Sequence, residues 1–318
     1  MPFAVSHPCD TAERVEGEPF FKLATYTLQP PPASTAQDTT ELVVHVRAFD
    51  VLPLCDAVGL LSGTDATGLI VWGGALALLE WLARHPQRLR ARLLAAPSND
   101  VAHFIELGCG SGVLAVGLCT LLRDTVLPGE AELRPSLAAR VWATDGNPEC
   151  VSLAQRNLDE QHSARGGSSD GVAASAVLLP WGDAAAVHHL HHAHIFAAAA
   201  SLIILSADVL YDAAAVPLLV STVADIAATC GSSSGTAAAP LPVEWWLAYT
   251  PRSLTRESNE RIFNALLDAI AQRRWSYELA DLPAGSVASG FENRADCATP
   301  ALLGCILVVQ VSGSSVHR

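Results

Sequence analysis

An α/β fold with a doubly wound, mostly parallel sheet follows from three features of the 318-residue chain. From residue 101 onward, apolar strand-like runs alternate with segments of helical periodicity, the order that a parallel sheet with helical crossovers demands. Runs such as "SLIILSAD" and "LLGCILVVQV" are apolar on both faces, as strands covered by helices on each side must be. The stretch "FIELGCGSGVLAVGL", Phe104 to Leu118, passes from an apolar strand through three spaced glycines into an apolar helix.

Taken in order, "FFKLATYTL" (20–28) and "ELVVHVRAFD" (41–50) alternate apolar and polar residues around the Pro-rich connector "QPPPASTAQDT", which predicts an antiparallel hairpin. The segment "VWGGALALLEWLARH" (71–85) has helical apolar spacing and a stop at Pro86. Strands follow at 101–107, 140–145, 176–181, 201–208, 244–250, 276–282 and 302–312. Helices are predicted over 112–123, 148–161, 213–228 and 255–273. Two Ser/Gly/Ala-rich segments, 163–175 and 230–242, read as flexible surface insertions without chemistry. The organisation is therefore an N-terminal extension with a hairpin over 1–70, followed by the main α/β domain over 71–318.

Half of the residues are apolar and 16% are charged, enough to bury a sizeable core. The net charge of −13 and the absence of any Lys or Arg run argue against nucleic acid as a partner. Eight cysteines occur without a C-x-x-C pair, which suggests reduced thiols in a cytoplasmic or nuclear compartment, the cytoplasm being preferred. The N-terminus lacks the basic flank and apolar core of a secretory signal, and no apolar run reaches the roughly 20 residues of a membrane span. No membrane association is expected. The oligomeric state is not legible. "HHLHHAHIF" (188–196) invites a metal reading, but no Cys or carboxylate set completes one, so a solvated His-rich loop is expected.

The glycine bend, with Gly108, Gly110 and Gly112, lies where open parallel sheets bind ligands. "GSGVLA" satisfies the dinucleotide form, while Glu106 just ahead of the glycines suits a methyl donor, so the bend alone admits both. Asp145 ends the next strand, "RVWATD", where a carboxylate either accepts from both ribose hydroxyls or caps the following helix. Trp181 ends the third strand in "LLPWGD"; its ring either covers an adenine face or fills the rim of the core, and Asp183 is placed to accept from the adenine amino group. Asp208 ends the fourth strand in "SADVLYD", with Tyr211 one turn on. The gap from Gly112 to Asp145 exceeds the roughly 20 residues usual after such a bend, so "RDTVLPGEAELRPSLAA" holds an insertion.

In the order "VWGGALALLEWL", "ELGCGSGVLAVGL", "WATDGNPECVSLAQRNL", "LPWGD", "LIILSADVLYD" and "WWLAYTPRS", the chain resembles the seven-β-strand protein-lysine methyltransferases of methyltransferase family 16. The resemblance spans about 71–252. It implies a Rossmann-like seven-stranded methyltransferase sheet with S-adenosylmethionine as cofactor and a protein lysine, on a non-histone protein, as acceptor. On matching positions it implies that Trp72, Glu106, Gly108, Cys109, Gly110, Asp145, Trp181 and the backbone of Ala207 surround the cofactor. Asp208 and Tyr211 are then the catalytic pair of a D-x-x-Y element at the lysine entrance, unless Asp208 merely caps the helix that follows. Arg252 contacts a substrate anion or forms an ordinary surface ion pair, the latter being preferred. His or Arg as acceptor, an NAD-dependent oxidoreductase and a non-catalytic interaction module remain the alternatives.

Overall fold

A computed structural model describes residues 11–16, 18–28, 42–49, 67–95, 101–127, 138–164, 171–193, 199–231, 243–253, 255–281 and 304–311. The Pro-rich connector, most of the second Ser/Gly-rich segment and His194 lie outside these residues.

Seven strands form one sheet: β4 (Val101–Leu107), β5 (Ala138–Asp145), β6 (Val172–Leu178), β7 (Ala199–Ala207), β8 (Val243–Tyr249), β9 (Ser276–Ala280) and β10 (Cys305–Val311). Their order is β6-β5-β4-β7-β8-β10-β9. The first five are parallel, whereas β10 runs antiparallel to both β8 and β9. A dinucleotide sheet of order 3-2-1-4-5-6 has no such reversed strand inserted near its edge. The fold is a seven-stranded, doubly wound Rossmann-like sheet with one reversed strand.

Helices cover both faces. On one lie α1 (Gly73–Arg84), α2 (Pro86–Ala95), α3 (Val113–Leu121) and α4 (Pro148–Ala164), whose Leu79, Leu89, Leu114 and Leu158 share a core with Phe104 and Val141 of the sheet. On the other lie α5 (Ala184–His192), α6 (Ala215–Gly231) and α7 (Arg256–Gln272), packed on Ile105, Ile204 and Leu307. Strand β8 is buried along its whole length, and its Trp246 and Trp245 fall in the two opposite cores. Alternation across the pleat explains that split.

The N-terminal strands β1 (Thr11–Val15), β2 (Glu18–Leu28) and β3 (Leu42–Phe49) form a separate antiparallel sheet, so the expected hairpin carries an additional strand. Ala24, Val44 and Val46 enter the same core as α3. Asn157 of α4 fastens β3 in place: it accepts from the Arg47 amide at 2.8 Å and donates to the Arg47 carbonyl at 3.0 Å and to the Ser111 carbonyl at 2.8 Å.

Three local expectations are corrected. Pro86 is not only a stop: it opens α2, where its missing N–H is one of the helix's orphan donors anyway. Strand β6 begins at Val172, so 172–175 belong to the sheet, turned into it by Gly171 at φ 75°. The His-rich segment is helical through His192, because Asp183 caps it through the Ala186 amide at 2.9 Å while Val187 and Leu190 are buried. His188, His189 and His192 are exposed there, and no three-residue metal cluster occurs among the described residues. Cys109, Cys119, Cys150, Cys230 and Cys305 are buried thiols with no disulfide between them. No helix among the described residues is long and apolar enough to cross a membrane.

Candidate active site

Beyond the carboxyl ends of β4, β5 and β7 lies a cavity of about 470 Å³, with the glycine bend as its floor. The Gly108 and Cys109 amides both donate to the Thr144 carbonyl at 2.8 Å, and the Thr144 hydroxyl returns to the Glu106 carbonyl at 2.7 Å. This ties the bend to β5. Gly108 and Gly110 adopt φ of 75° and 52°, the left-handed region that disfavours a side chain. A Cβ on Gly108 would lie 2.7 Å from Val209 Cγ1 and 2.9 Å from the Trp181 ring, and one on Gly110 would lie 2.6 Å from the Gly68 carbonyl oxygen. The bare backbone therefore admits the protein's own ring and carbonyl as well as a ligand.

Three carboxylates line the cavity. Glu106 is buried, and its Oε2 accepts from the Ala115 amide in the first turn of α3 at 3.1 Å. Burial pushes its carboxyl well above the usual range, and the charge of Asp145 adds to that. The Cys109 thiol is raised in the same way, first by burial and then by Glu106, so it stays protonated and inert. Asp145 accepts from the Gly110 amide at 3.0 Å and from the Asn147 amide at 2.9 Å. The cap of α4 is Asn147, which accepts from the Glu149 amide at 2.8 Å, and Asp145 does not take that role.

Asp208 is 7% exposed and sits in a left-handed kink, φ 56°. Its Oδ2 accepts from the Gly74 amide at 2.5 Å and its Oδ1 accepts from the Thr250 hydroxyl. Burial raises the carboxyl to about 6, against the lowering influence of Arg252 and of the Gly74 hydrogen bond. Asp208 thus faces the N-terminus of α1, where the helix dipole favours a negative charge. The helix after the kink is served by Asp212, which accepts from the Ala214 amide at 3.0 Å.

Trp181 is half-buried over Gly108, and its Nε1 is buried with no hydrogen-bond partner among the described residues. Asp183 lies outside the cavity wall as the cap of α5, which corrects its expected contact with adenine. Trp72 donates from Nε1 to the Thr67 carbonyl at 2.9 Å, and Tyr211 stands half-exposed at the mouth. Trp72, Glu106, Gly108, Cys109, Gly110, Asp145, Trp181, Ala207, Asp208 and Tyr211 all line this cavity, whereas Gly112 and Asp183 do not.

Residues 61–233, more than half of the chain, match the family described as lysine methyltransferase. The chain belongs to that family. A protein-lysine N-methyltransferase of Bos taurus, EEF2KMT, is 31% identical over 94 residues, covering 28% of this chain and 24% of the relative. The chain thus spans about a quarter of the length of that curated relative. Among solved structures, the DszA carbon methyltransferase aligns with a TM-score of 0.38 at 14% identity, covering 74% of this chain and 53% of the other. A TehB-like SAM-dependent methyltransferase from Corynebacterium glutamicum aligns at 0.30 and 11% identity, covering 82% and 96%. Likeness at that level adds nothing to the strand order described above.

Family membership leaves several lining residues that the sequence did not announce. Thr67 and Gly68 come from a short 3-10 turn (Thr67–Leu69) ahead of α1, and Leu218 comes from α6. The only prior signal for the turn was the glycine just upstream of Trp72. Arg252 corrects an expectation: instead of a surface ion pair, it lies with its guanidinium carbon 3.3 Å from the Trp72 ring centroid inside the cavity wall.

Proposed function

We propose that this protein is an S-adenosylmethionine-dependent protein-lysine N-methyltransferase whose cavity binds the methyl donor at the glycine bend and the acceptor lysine at Asp208 and Tyr211. The observation that carries the reading is the charge arrangement on this sheet. Glu106, Asp145 and Asp208 line a cavity that holds one guanidinium among its described residues, which suits a sulfonium and an amine better than a pyrophosphate. The helix N-terminus that would receive a pyrophosphate is already occupied by Glu106 at the Ala115 amide.

The residues present fit such a donor. Asp145 retains lone pairs for two ribose hydroxyls, the Trp181 ring covers the purine, and its buried indole N–H is a donor in want of an acceptor. Gly108, Cys109 and Gly110 bring main chain against the nucleoside, while Trp72, Glu106 and the Ala207 backbone enclose the amino-acid end. When bound, the donor supplies a methyl group on positively charged sulfur for in-line displacement.

Lysine has a reference pKa of about 10.4, so exposing its neutral amine at pH 7 costs about 4–5 kcal/mol. Asp208 orients the amine through a hydrogen bond, and the Tyr211 wall excludes water. The acceptor lysine belongs to a non-histone protein in the cytoplasm. Residues 71–318 carry the chemistry, Thr67 and Gly68 of the 1–70 extension complete the cavity wall, and its strand β3 is joined to the glycine bend through Asn157.

Thermal shift and label transfer test this reading together. S-adenosylhomocysteine at 100 times its dissociation constant should add about 2.7 kcal/mol of stability, with NAD adding none. Tritiated methyl groups offered with a cell lysate should appear in methyl-lysine on amino-acid analysis. A shift with NAD alone, or label in another residue, would overturn it.

A further inference from the structure

Arg252 stands three residues past β8, at the acceptor side of the cavity. Its guanidinium carbon lies 3.3 Å from the Trp72 ring centroid and 5.2 Å from that of Tyr211. Its Nη1 donates to the Asp208 carbonyl at 3.0 Å. The Trp72 ring is pinned in turn by its bond to the Thr67 carbonyl, and the turn bearing Thr67 places the Gly68 carbonyl against Gly110. A planar cation laid on an indole and bonded to a strained main-chain kink holds both in one geometry.

We propose that Arg252 is a positioning residue for methyl transfer: it locks Trp72, Tyr211 and the kinked backbone of Asp208 into one wall of the acceptor channel and acts on the amine through Asp208. This rests on the reading of the cavity as a methyl-transfer site. It goes further by assigning a task to the cation in that cavity.

The groups around the Asp208 carboxyl are the Gly74 amide at the start of α1, and the Thr250 hydroxyl and the Arg252 guanidinium after β8. Tyr211 flanks Arg252 at the mouth, while Glu106, Asp145 and the Cys109 thiol line the same cavity further in. Among the charged groups, Arg252 is the one that lowers the carboxyl, which burial otherwise raises. Removing its charge therefore drives Asp208 further toward protonation. The acid limb of the rate profile then moves to higher pH. A residue with a purely structural role would lower stability and cofactor binding without moving that limb.

The test uses the full chain, with Arg252→Lys, Arg252→Gln and Arg252→Ala. Lys keeps the charge without the plane, and Gln keeps a planar donor without the charge. Thermal shift with S-adenosylhomocysteine is read beside the rate of tritiated methyl transfer into the protein fraction that the wild type labels, from acid to weakly alkaline pH. The expected result is a wild-type shift in Arg252→Gln, label transfer slowed about tenfold or more at neutral pH, and an acid limb raised by about one unit or more. Arg252→Lys keeps the wild-type limb at a reduced rate. Should Arg252→Ala fail to fold, the Gln and Lys pair still decides.

A wild-type limb and rate in Arg252→Gln overturn the proposal while leaving the site reading intact, provided the wild type itself shifts and labels. A wild type that does neither overturns both.

Discussion

Gly74→Ala sets two known magnitudes against each other. Gly74 is the second residue of α1, and by helix propensity alone Ala there stabilises by about 1 kcal/mol. The added Cβ would lie 2.6 Å from Oδ2, 2.7 Å from Cγ and 2.8 Å from Oδ1 of Asp208. That carboxylate is buried and held on its other side by Thr250, so it escapes only by surrendering the Gly74 amide. Losing a charge-assisted bond costs about 1.5–3 kcal/mol, so the bond outweighs propensity and the variant loses about 0.5–2 kcal/mol. Urea unfolding monitored by tryptophan fluorescence measures the difference. Methyl transfer should fall with it, while the thermal shift with S-adenosylhomocysteine persists. A variant that resists more urea than the wild type would show that Asp208 does not sit against the start of α1.

The other predictions concern single contacts. Asp208 is raised from 3.8 to about 6 on folding, so the folded protein favours its protonated form. The stabilisation is complete below the unfolded value and is lost as pH rises through about 6, an amount of about 3 kcal/mol. Wild type should therefore lose most of that stability, about 2 kcal/mol, relative to Asp208→Asn between about pH 4 and about pH 7, and a flat difference in urea midpoints refutes the seating of the carboxyl. Asn157→Ala strands the Arg47 amide and the Arg47 and Ser111 carbonyls, for a loss of at least about 2 kcal/mol by urea unfolding. A loss below about 0.5 kcal/mol would contradict that brace. Trp181→Ala should weaken S-adenosylhomocysteine binding about ten- to a hundredfold by titration calorimetry, and unchanged affinity removes the ring from the purine site.

The fold was legible where periodicity and burial coincide. Strands β7 and β10 are apolar on both faces, and the bend after β4 demands positive φ, so pattern and chemistry agree there. At β6 they do not. It is an edge strand of mostly alanine and serine, and half of it merges with the glycine-rich segment before it. The His-rich helix was hidden because five histidines drew the reading toward polarity, when a cap at Asp183 and two buried aliphatics suffice for a turn-forming helix. The strand-end residues of the site were legible because an open sheet offers ligands those positions. The partners of Asp208 were not, since Gly74 and Thr250 lie 134 and 42 residues away in sequence. The stack of Arg252 on Trp72 likewise joins segments on opposite sides of the glycine bend, and no local pattern encodes such a meeting.

Titration calorimetry with S-adenosylhomocysteine, run on the wild type and on Asp145→Asn, tests the cavity most directly. Asn can still accept from the Gly110 amide but turns its NH2 toward the Asn147 amide, so the carboxylate for the ribose is lost together with one main-chain bond, and a urea midpoint for each protein checks that the fold is kept. The account predicts one-to-one binding by the wild type and affinity about tenfold to a hundredfold weaker in the variant. Absence of binding by a folded wild type, or equal affinity in both proteins, would contradict it.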